Sequence, residues 1–264
     1  MTGQDCLAHA KCDQCALGVL LRKSDDFRPV PAELNGSDTL VILAFPSKRD
    51  ETGIQRAPGT GPEGAEALEA LQGAGLTRKD VSWTTVVACR YPKGKKKEFD
   101  ARIRRMNRRH KKNGEALLLS PEVCCRPRFE SELGAHRNFL ALGSNAAKAV
   151  LPGAPTLKDV RGAPIILSNG KKVLATEDPD RIARQPKWRH YFRRDIAKAA
   201  RHFVGNLKWT EPEVMVAPSI DYIIKMVDAW AEDGKAVAYD WETTRDDTML
   251  VRPTCFGFGR DNLA

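Results

Sequence analysis

The sequence predicts an α/β fold: a three-layer α/β/α sandwich around a mostly parallel, four-stranded central sheet, followed by the first helix and strand of a second unit. Three observations carry this. Apolar runs of strand length alternate with segments of helical period, the pattern of βα units. The first of those runs, Thr39–Ala44, is a continuous apolar stretch, as in a strand covered on both faces. Near residue 207 the pattern stops and then restarts.

In chain order, residues 1–24 read as a loop-rich cysteine segment, and Thr39–Ala44 (TLVILA) is the first strand. Gly53, Pro58, Gly59 and Gly61 mark a loop. Pro62-Glu63 then opens a helix whose Ala and Leu recur at helical spacing to about Leu71. Trp83–Ala88 is the second strand, and a basic insert follows it. Pro121 leads a helix over Glu122–Leu133, and Asn138–Leu142 is the third strand. Gly143-Ser144-Asn145 caps a short helix to Leu151. Lys172–Thr176 is the fourth strand, and Arg189–Phe203 is an amphipathic closing helix. These elements form a first domain, residues 1–206. Residues 207–218, with Pro212 and Pro218, form a linker. Residues 219–264 begin a second domain with a helix from Ile220 to Ala231 and a strand over Ala236–Tyr239. This piece is too short to close a core of its own, so the expectation is a truncated domain.

The net charge is +9, and its placement matters more than its size. Residues 93–112 hold eleven Lys and Arg against Glu98 and Asp100, which equals the excess of the whole chain. Clustered positive charge is the footprint of a phosphate-backbone partner. The expectation is a DNA-gripping loop carrying Lys95, Lys96, Lys97, Arg104, Arg105, Arg108, Arg109, Lys111 and Lys112. The bland alternative is a solvated loop that binds nothing specific. No apolar run approaches the roughly 18 residues of a membrane span. The polar start Met1–Ala10 lacks a signal-peptide core. A soluble, cytoplasmic protein with no membrane partner is expected.

Seven cysteines, an odd number without a secretory signal, argue against a disulfide framework. Cys12 and Cys15 form a Cys-x-x-Cys pair, which offers two thiolates from one turn to a single metal centre. Cys89 ends the second strand, and Cys124-Cys125 opens the following helix. Adjacent helical residues point about 100° apart, so one of that pair is expected to face the site. Zinc, or unrelated buried thiols, remain the alternatives. Gly59–Gly64 (GTGPEG) matches the dinucleotide glycine pattern but lies far beyond its strand. Amides at that helix start could hold a phosphate, or the segment is a simple turn. Asp240 and Glu242, two apart on an extended strand, point to one side and suit paired Mg²⁺ ions.

Four segments together resemble the iron–sulfur branch of the uracil-DNA glycosylase superfamily. They are Lys11–Leu17 (KCDQCAL), Val86–Pro92 (VVACRYP), Glu122–Leu133 (EVCCRPRFESEL) and Leu140–Leu151 (LALGSNAAKAVL). The likeness spans roughly residues 6–205 in matching order. It implies a 4Fe–4S cluster held by Cys12, Cys15, Cys89 and Cys125, the last preferred because it precedes Arg-Pro. It also implies changed chemistry. The acidic water-activating position falls on Ala44, the base-stacking aromatic on Gly59, the base-reading Asn on Thr85, and the closing His on Asp178. Ordinary uracil excision is therefore not expected. Arg108–Lys112 (RRHKK) is similar to the loop of the superfamily's uracil-crosslinking branch, which puts His110 in the nucleophile's place. Active excision or crosslinking, through His110 or Asp178, is the rival reading. The tail, Ala236–Thr244 with Cys255–Gly259, resembles the opening of the RNase H-like 3′–5′ exonuclease domain of family-A DNA polymerases, with Asp240 and Glu242 as implied Mg²⁺ ligands. The overall expectation is a DNA-binding module, for single-stranded or template DNA, ahead of a phage-type polymerase in a bacterial or phage-infected cell.

Overall fold

The computed structural model describes residues 9–21, 29–53, 56–91, 96–153, 155–207, 219–232, 237–245 and 251–260. Lys95 and most of the 207–218 segment lie outside the described residues, as do the side chains of Lys96, Lys97, Asp240 and Glu242.

A five-stranded sheet of order β2-β1-β3-β5-β4 organises the first unit. Its strands are β1 (Thr39–Leu43), β2 (Ser82–Thr85), β3 (Asn138–Leu142), β4 (Pro164–Ile166) and β5 (Lys172–Thr176). β1, β2, β3 and β5 pair in parallel, with Leu40 beside Ser82 and Phe139, and Phe139 beside Val173. The fifth strand, β4, runs antiparallel on β5 at one edge and was not expected from the sequence. It is three residues long and follows Gly162, too brief to show a period.

Side chains of the parallel strands alternate between two cores, because successive residues point to opposite faces. Leu40, Ile42, Phe139, Ala141, Val173 and Ala175 meet helices on one side. These helices are α1 (Ala16–Leu21), α4 (Lys96–Asn113), α5 (Pro121–Gly134) and α6 (Ser144–Val150). Val41, Leu43, Trp83, Leu140 and Leu174 meet the other side. There lie α3 (Pro62–Gly73), α8 (Pro179–Arg184) and α9 (Arg189–Phe203). The one-turn helices α2 (Lys48–Thr52) and α7 (Leu157–Val160) complete this unit. The result is the expected three-layer α/β/α arrangement.

Two elements depart from the sequence reading. β2 ends at Thr85 rather than Ala88. Val86 and Val87 still donate to the carbonyls of Leu43 and Ala44, at 2.9 and 3.2 Å, but then turn into the core. The basic insert is also not a loop over residues 96–113; it is the 18-residue helix α4. Lys, Arg, Met and Ala are good helix formers. Phe99, Ile103 and Met106, at i, i+4 and i+7, form a stripe that packs on the core.

Contacts divide the chain into units of residues 1–208 and 209–264. The second holds α10 (Ile220–Glu232) and an antiparallel hairpin of β6 (Val237–Arg245) and β7 (Val251–Arg260). No helix among the described residues is long and apolar enough to cross a membrane.

Candidate functional site

Five thiols from three segments gather on the α1/α5 side of the sheet. Cys12 and Cys15 lie in the turn that opens α1. The backbone of Ala16 donates to Leu119 O at 3.1 Å, and Leu119 N to Gln14 O at 3.0 Å. Lys11 N donates to Cys124 O at 3.0 Å, so the turn is fastened directly onto the start of α5. Gly18 permits this: a Cβ there would lie 2.3 Å from the Cys12 carbonyl oxygen. Cys124 and Cys125 occupy the first turn of α5, where Pro121 is at the helix start and Ser120 Oγ accepts from Val123 N. Cys89 follows β2.

Cys15, Cys89, Cys124 and Cys125 are all buried. Burial pushes the Cys89 thiol far up, and Cys125, Cys12 and Cys15 push it further. Cys124 is pushed up to about 12 by burial, then by the charge of Cys15, a hydrogen bond with Cys15, and the charges of Cys125 and Cys12. These thiols therefore lie near enough to influence one another's charge. Cys124 and Cys125 are both buried in the same core as Cys15 and Cys89. Cys125 is also raised by burial, but the Arg128 guanidinium and a hydrogen bond from the Ala88 backbone oppose the rise. Donors aimed at one sulfur of an all-sulfur set are what a thiolate ligand needs around it. As placed, no three Cys, His, Asp or Glu side chains among the described residues close about one point in metal-binding geometry.

Next to the thiols lies a buried ion pair. Arg128 and Glu132 have side chains with 0% exposure. Arg128 Nη1 donates to Glu132 Oε1 and Oε2 at 2.7 and 3.0 Å and to Thr84 Oγ1 at 3.1 Å. Its Nη2 donates to the carbonyls of Thr85 and Val86. Thr84 Oγ1 in turn donates to Glu132 Oε2 at 2.6 Å. The guanidinium therefore ties the end of β2 to α5.

α4 presents its charge outward. Arg102, Arg104, Arg105, Arg108, Arg109, Lys111 and Lys112 are all exposed and surround the Phe99–Ile103–Met106 stripe. Among the described residues none of the seven forms an ion pair. Asn107 fixes the helix to the next segment, donating to Leu118 O at 2.9 Å and accepting from Leu118 N at 2.8 Å. His110 sits in the last turn. Its Nδ1 is 2.8 Å from Ala116 O, and its Nε2 is 3.5 Å from Glu115 Oε2.

The carboxyl ends of the strands carry the remaining candidates. Asp50, fully buried, accepts from the amides of Ser47, Thr60 and Gly61 and from Thr60 Oγ1, at 2.6 to 3.0 Å. Two amides of the glycine segment, those of Thr60 and Gly61, are thus taken by a carboxylate. The glycines of this segment answer to packing. A Cβ on Gly64 would lie 2.0 Å from Gly59 O, and one on Gly61 2.4 Å from Ser47 Oγ. Gly59 has φ +70°, and its Cβ would fall 2.8 Å from the Trp83 ring. The segment is a closely packed turn built around Asp50. Ala44 is buried, and Thr85 Oγ1 is buried without a hydrogen-bond partner. Asp178 caps α8, its Oδ1 accepting from Asp180 N at 2.9 Å, with its side chain against Gly143. Burial raises its pKa, opposed by the Asp180 backbone bond; Asp180 and Glu63 add to the rise and Arg184 opposes it.

In the second unit Asp240 and Glu242 lie on β6 opposite Gly257 and Cys255, with a register irregularity just after Glu242. Comparison with protein-family models and with curated protein sequences finds no match for this chain.

Proposed function

We propose that the first unit is a DNA-binding module of the uracil-DNA glycosylase type that grips phosphate backbone through α4 and does not carry out ordinary uracil excision. One observation carries this: seven exposed cations on one rigid helix with no ion-pair partner among the described residues. A globular fold gains nothing from such self-repulsion, whereas a polyanion relieves it by releasing its counterions. If all seven reach phosphates, the logarithm of affinity for single strands falls with the logarithm of salt at a slope of about −5.

The iron–sulfur reading is supported by the resemblance and by buried thiols on one side of the sheet, with Cys12, Cys15, Cys89 and Cys125 as the holders and Cys124 beside them; as placed, they do not close about one point. A bound cluster would supply a structural staple between α1, β2 and α5, and an electron-transfer centre. The chain's own contribution is to bury the sulfurs, to aim the Ala88 backbone and Arg128 at Cys125, and to fix α5 to β2. At the strand ends, Ala44 and Thr85 offer no acid, base or amide to a flipped base. Gly59 has no room for a ring, and the Asp178 carboxylate is engaged as a helix cap. Losing the acid–base groups alone removes about 10²- to 10⁴-fold in rate per group. The second unit, with Asp240 and Glu242 on β6, is read as the opening of a Mg²⁺-dependent exonuclease domain. The context would be a phage-type polymerase acting in the cytoplasm.

The test is binding of the full chain to a labelled single-stranded oligonucleotide, with and without uracil, across a salt series and on a denaturing gel. Salt-dependent binding without strand cleavage at abasic sites is expected. Replacing Arg104, Arg105, Arg108 and Arg109 together by Gln should flatten the salt slope. Abasic product, or an adduct surviving denaturation and lost in His110→Gln, would overturn the reading in favour of an active or crosslinking glycosylase.

A further inference from the structure

A second cluster of cations lies at the other side of the sheet, between β5 and α9. The 3₁₀ turn Pro186–Trp188 and the start of α9 present Trp188 and Tyr191, with ring centroids 5.8 Å apart. The Arg161 guanidinium lies 5.8 Å from the Trp188 ring and 5.2 Å from the Tyr191 ring. Arg181 lies 4.7 Å and Lys187 5.9 Å from Trp188, and Arg194 lies 5.7 Å from Tyr191. Four cations thus converge on two rings. Only Arg181 has a carboxylate partner, Glu177 at 2.9 Å; Arg161, Lys187 and Arg194 form no ion pair among the described residues.

The parts are held in place. Arg161 forms an isolated bridge with Ala175 of β5, its N–H donates to Leu157 O, and Gly162 N donates to Ala175 O at 2.8 Å. Trp188 Nε1 donates to Gln185 Oε1 at 3.1 Å. Phe192 and Ile196, on the inner face of α9, are fully buried and fix the helix that carries Tyr191. Tyr191 itself is 40% exposed, so part of the residue remains open to solvent among these cations, with His190 edge-on to its ring at 5.7 Å.

We propose that Tyr191, Trp188 and Arg161 form a stacking platform for an unpaired base of single-stranded DNA, with Lys187 and Arg194 meeting the flanking phosphates. Aromatic faces interleaved with cations bind single strands because every base has a π face and every linkage a charge. A duplex offers the cations its phosphates but keeps its bases stacked away from Tyr191. The platform follows the carboxyl end of β5, while α4 follows that of β2, three strand spacings or about 14 Å away along the sheet. This inference rests on the reading of the first unit as a DNA binder and adds a preference for unpaired bases.

The experiment titrates the full chain with labelled oligothymidylate and with a duplex of equal length. Tyr191→Ala should weaken single-strand binding about tenfold, the loss of one stacked base. Duplex binding and the salt slope should stay as in the wild type, and Tyr191→Phe should restore single-strand binding. A Tyr191→Ala protein that binds single strands like the wild type, or loses duplex and single-strand affinity equally, overturns the platform while leaving α4 as a DNA grip. A wild-type protein that binds neither probe overturns both readings.

Discussion

Replacing Arg128 by Met should destabilise the first unit severely, and replacing its partner as well should restore most of the loss. Arg128 and Glu132 are both without solvent contact, so Arg128→Met leaves a buried carboxylate with Thr84 Oγ1 as its remaining side-chain donor. Breaking a buried pair from one side costs about 3–5 kcal/mol. The carbonyls of Thr85 and Val86 also lose a donor, each worth about 1 kcal/mol or more. The upper end of the range, about 5 kcal/mol, is therefore expected. For a unit of this size that lowers Tm by roughly 10–20 °C. Arg128→Met with Glu132→Leu removes the stranded charge, and its loss should fall to about 1–2 kcal/mol. Urea and thermal unfolding followed by far-ultraviolet circular dichroism, on protein purified without oxygen, measures both. If Arg128→Met costs less than about 1 kcal/mol, or the double variant is worse than the single one, the pair does not bridge α5 to β2 as described.

Three further outcomes follow. Cys89→Ser should abolish iron and acid-labile sulfide in anaerobically purified protein, while Cys124→Ser should retain them; equal iron in all variants would defeat the cluster. His202 is buried, and its pKa is lowered by burial first and by Lys172, against a hydrogen bond from its ring to Ile165 O. The folded state thus resists a proton that the unfolded state takes up, so stability should decline as pH falls below about 6.5. His202→Gln should flatten that decline in a pH series of urea midpoints. Asp178→Asn keeps a good N-cap and removes a carboxylate that burial disfavours, so it should not destabilise. Asp178→Ala should lose about 1 kcal/mol of capping; equal loss in both would show that the charge itself matters.

The parallel strands were legible because β1, β3 and β5 are buried on both faces and therefore apolar without interruption. β4 was not, since three residues between turns carry no period. The basic insert was misread through its charge. Its density of Lys and Arg suggested a loop, yet Phe99, Ile103 and Met106 already had helical spacing, and no Gly or Pro breaks residues 96–113. Cysteine spacing pointed to one neighbour of the Cys124-Cys125 pair. It could not show that the Cys12–Cys15 turn is fastened onto the start of α5 by the bond from Lys11 N to Cys124 O. Asp50 was not singled out from the sequence, because nothing in a polar stretch marks the carboxylate that the fold buries among the amides of Ser47, Thr60 and Gly61. The ring of cations about Trp188 and Tyr191 draws Arg161 from 27 residues upstream of Trp188, a distance that no local pattern spans.

The two margins of the sheet are closed by different means. Beside β2, Glu33 exchanges backbone hydrogen bonds with Trp83 at 2.8 and 2.9 Å, so that flank is already occupied by the chain itself. Beside β5 the boundary is β4, whose first residue, Pro164, has no N–H to offer and whose last, Ile166, is 66% exposed. A strand so short and so blunted gives a neighbouring molecule little to zip onto. That brevity leaves little free edge on this side for a second copy of the sheet to extend.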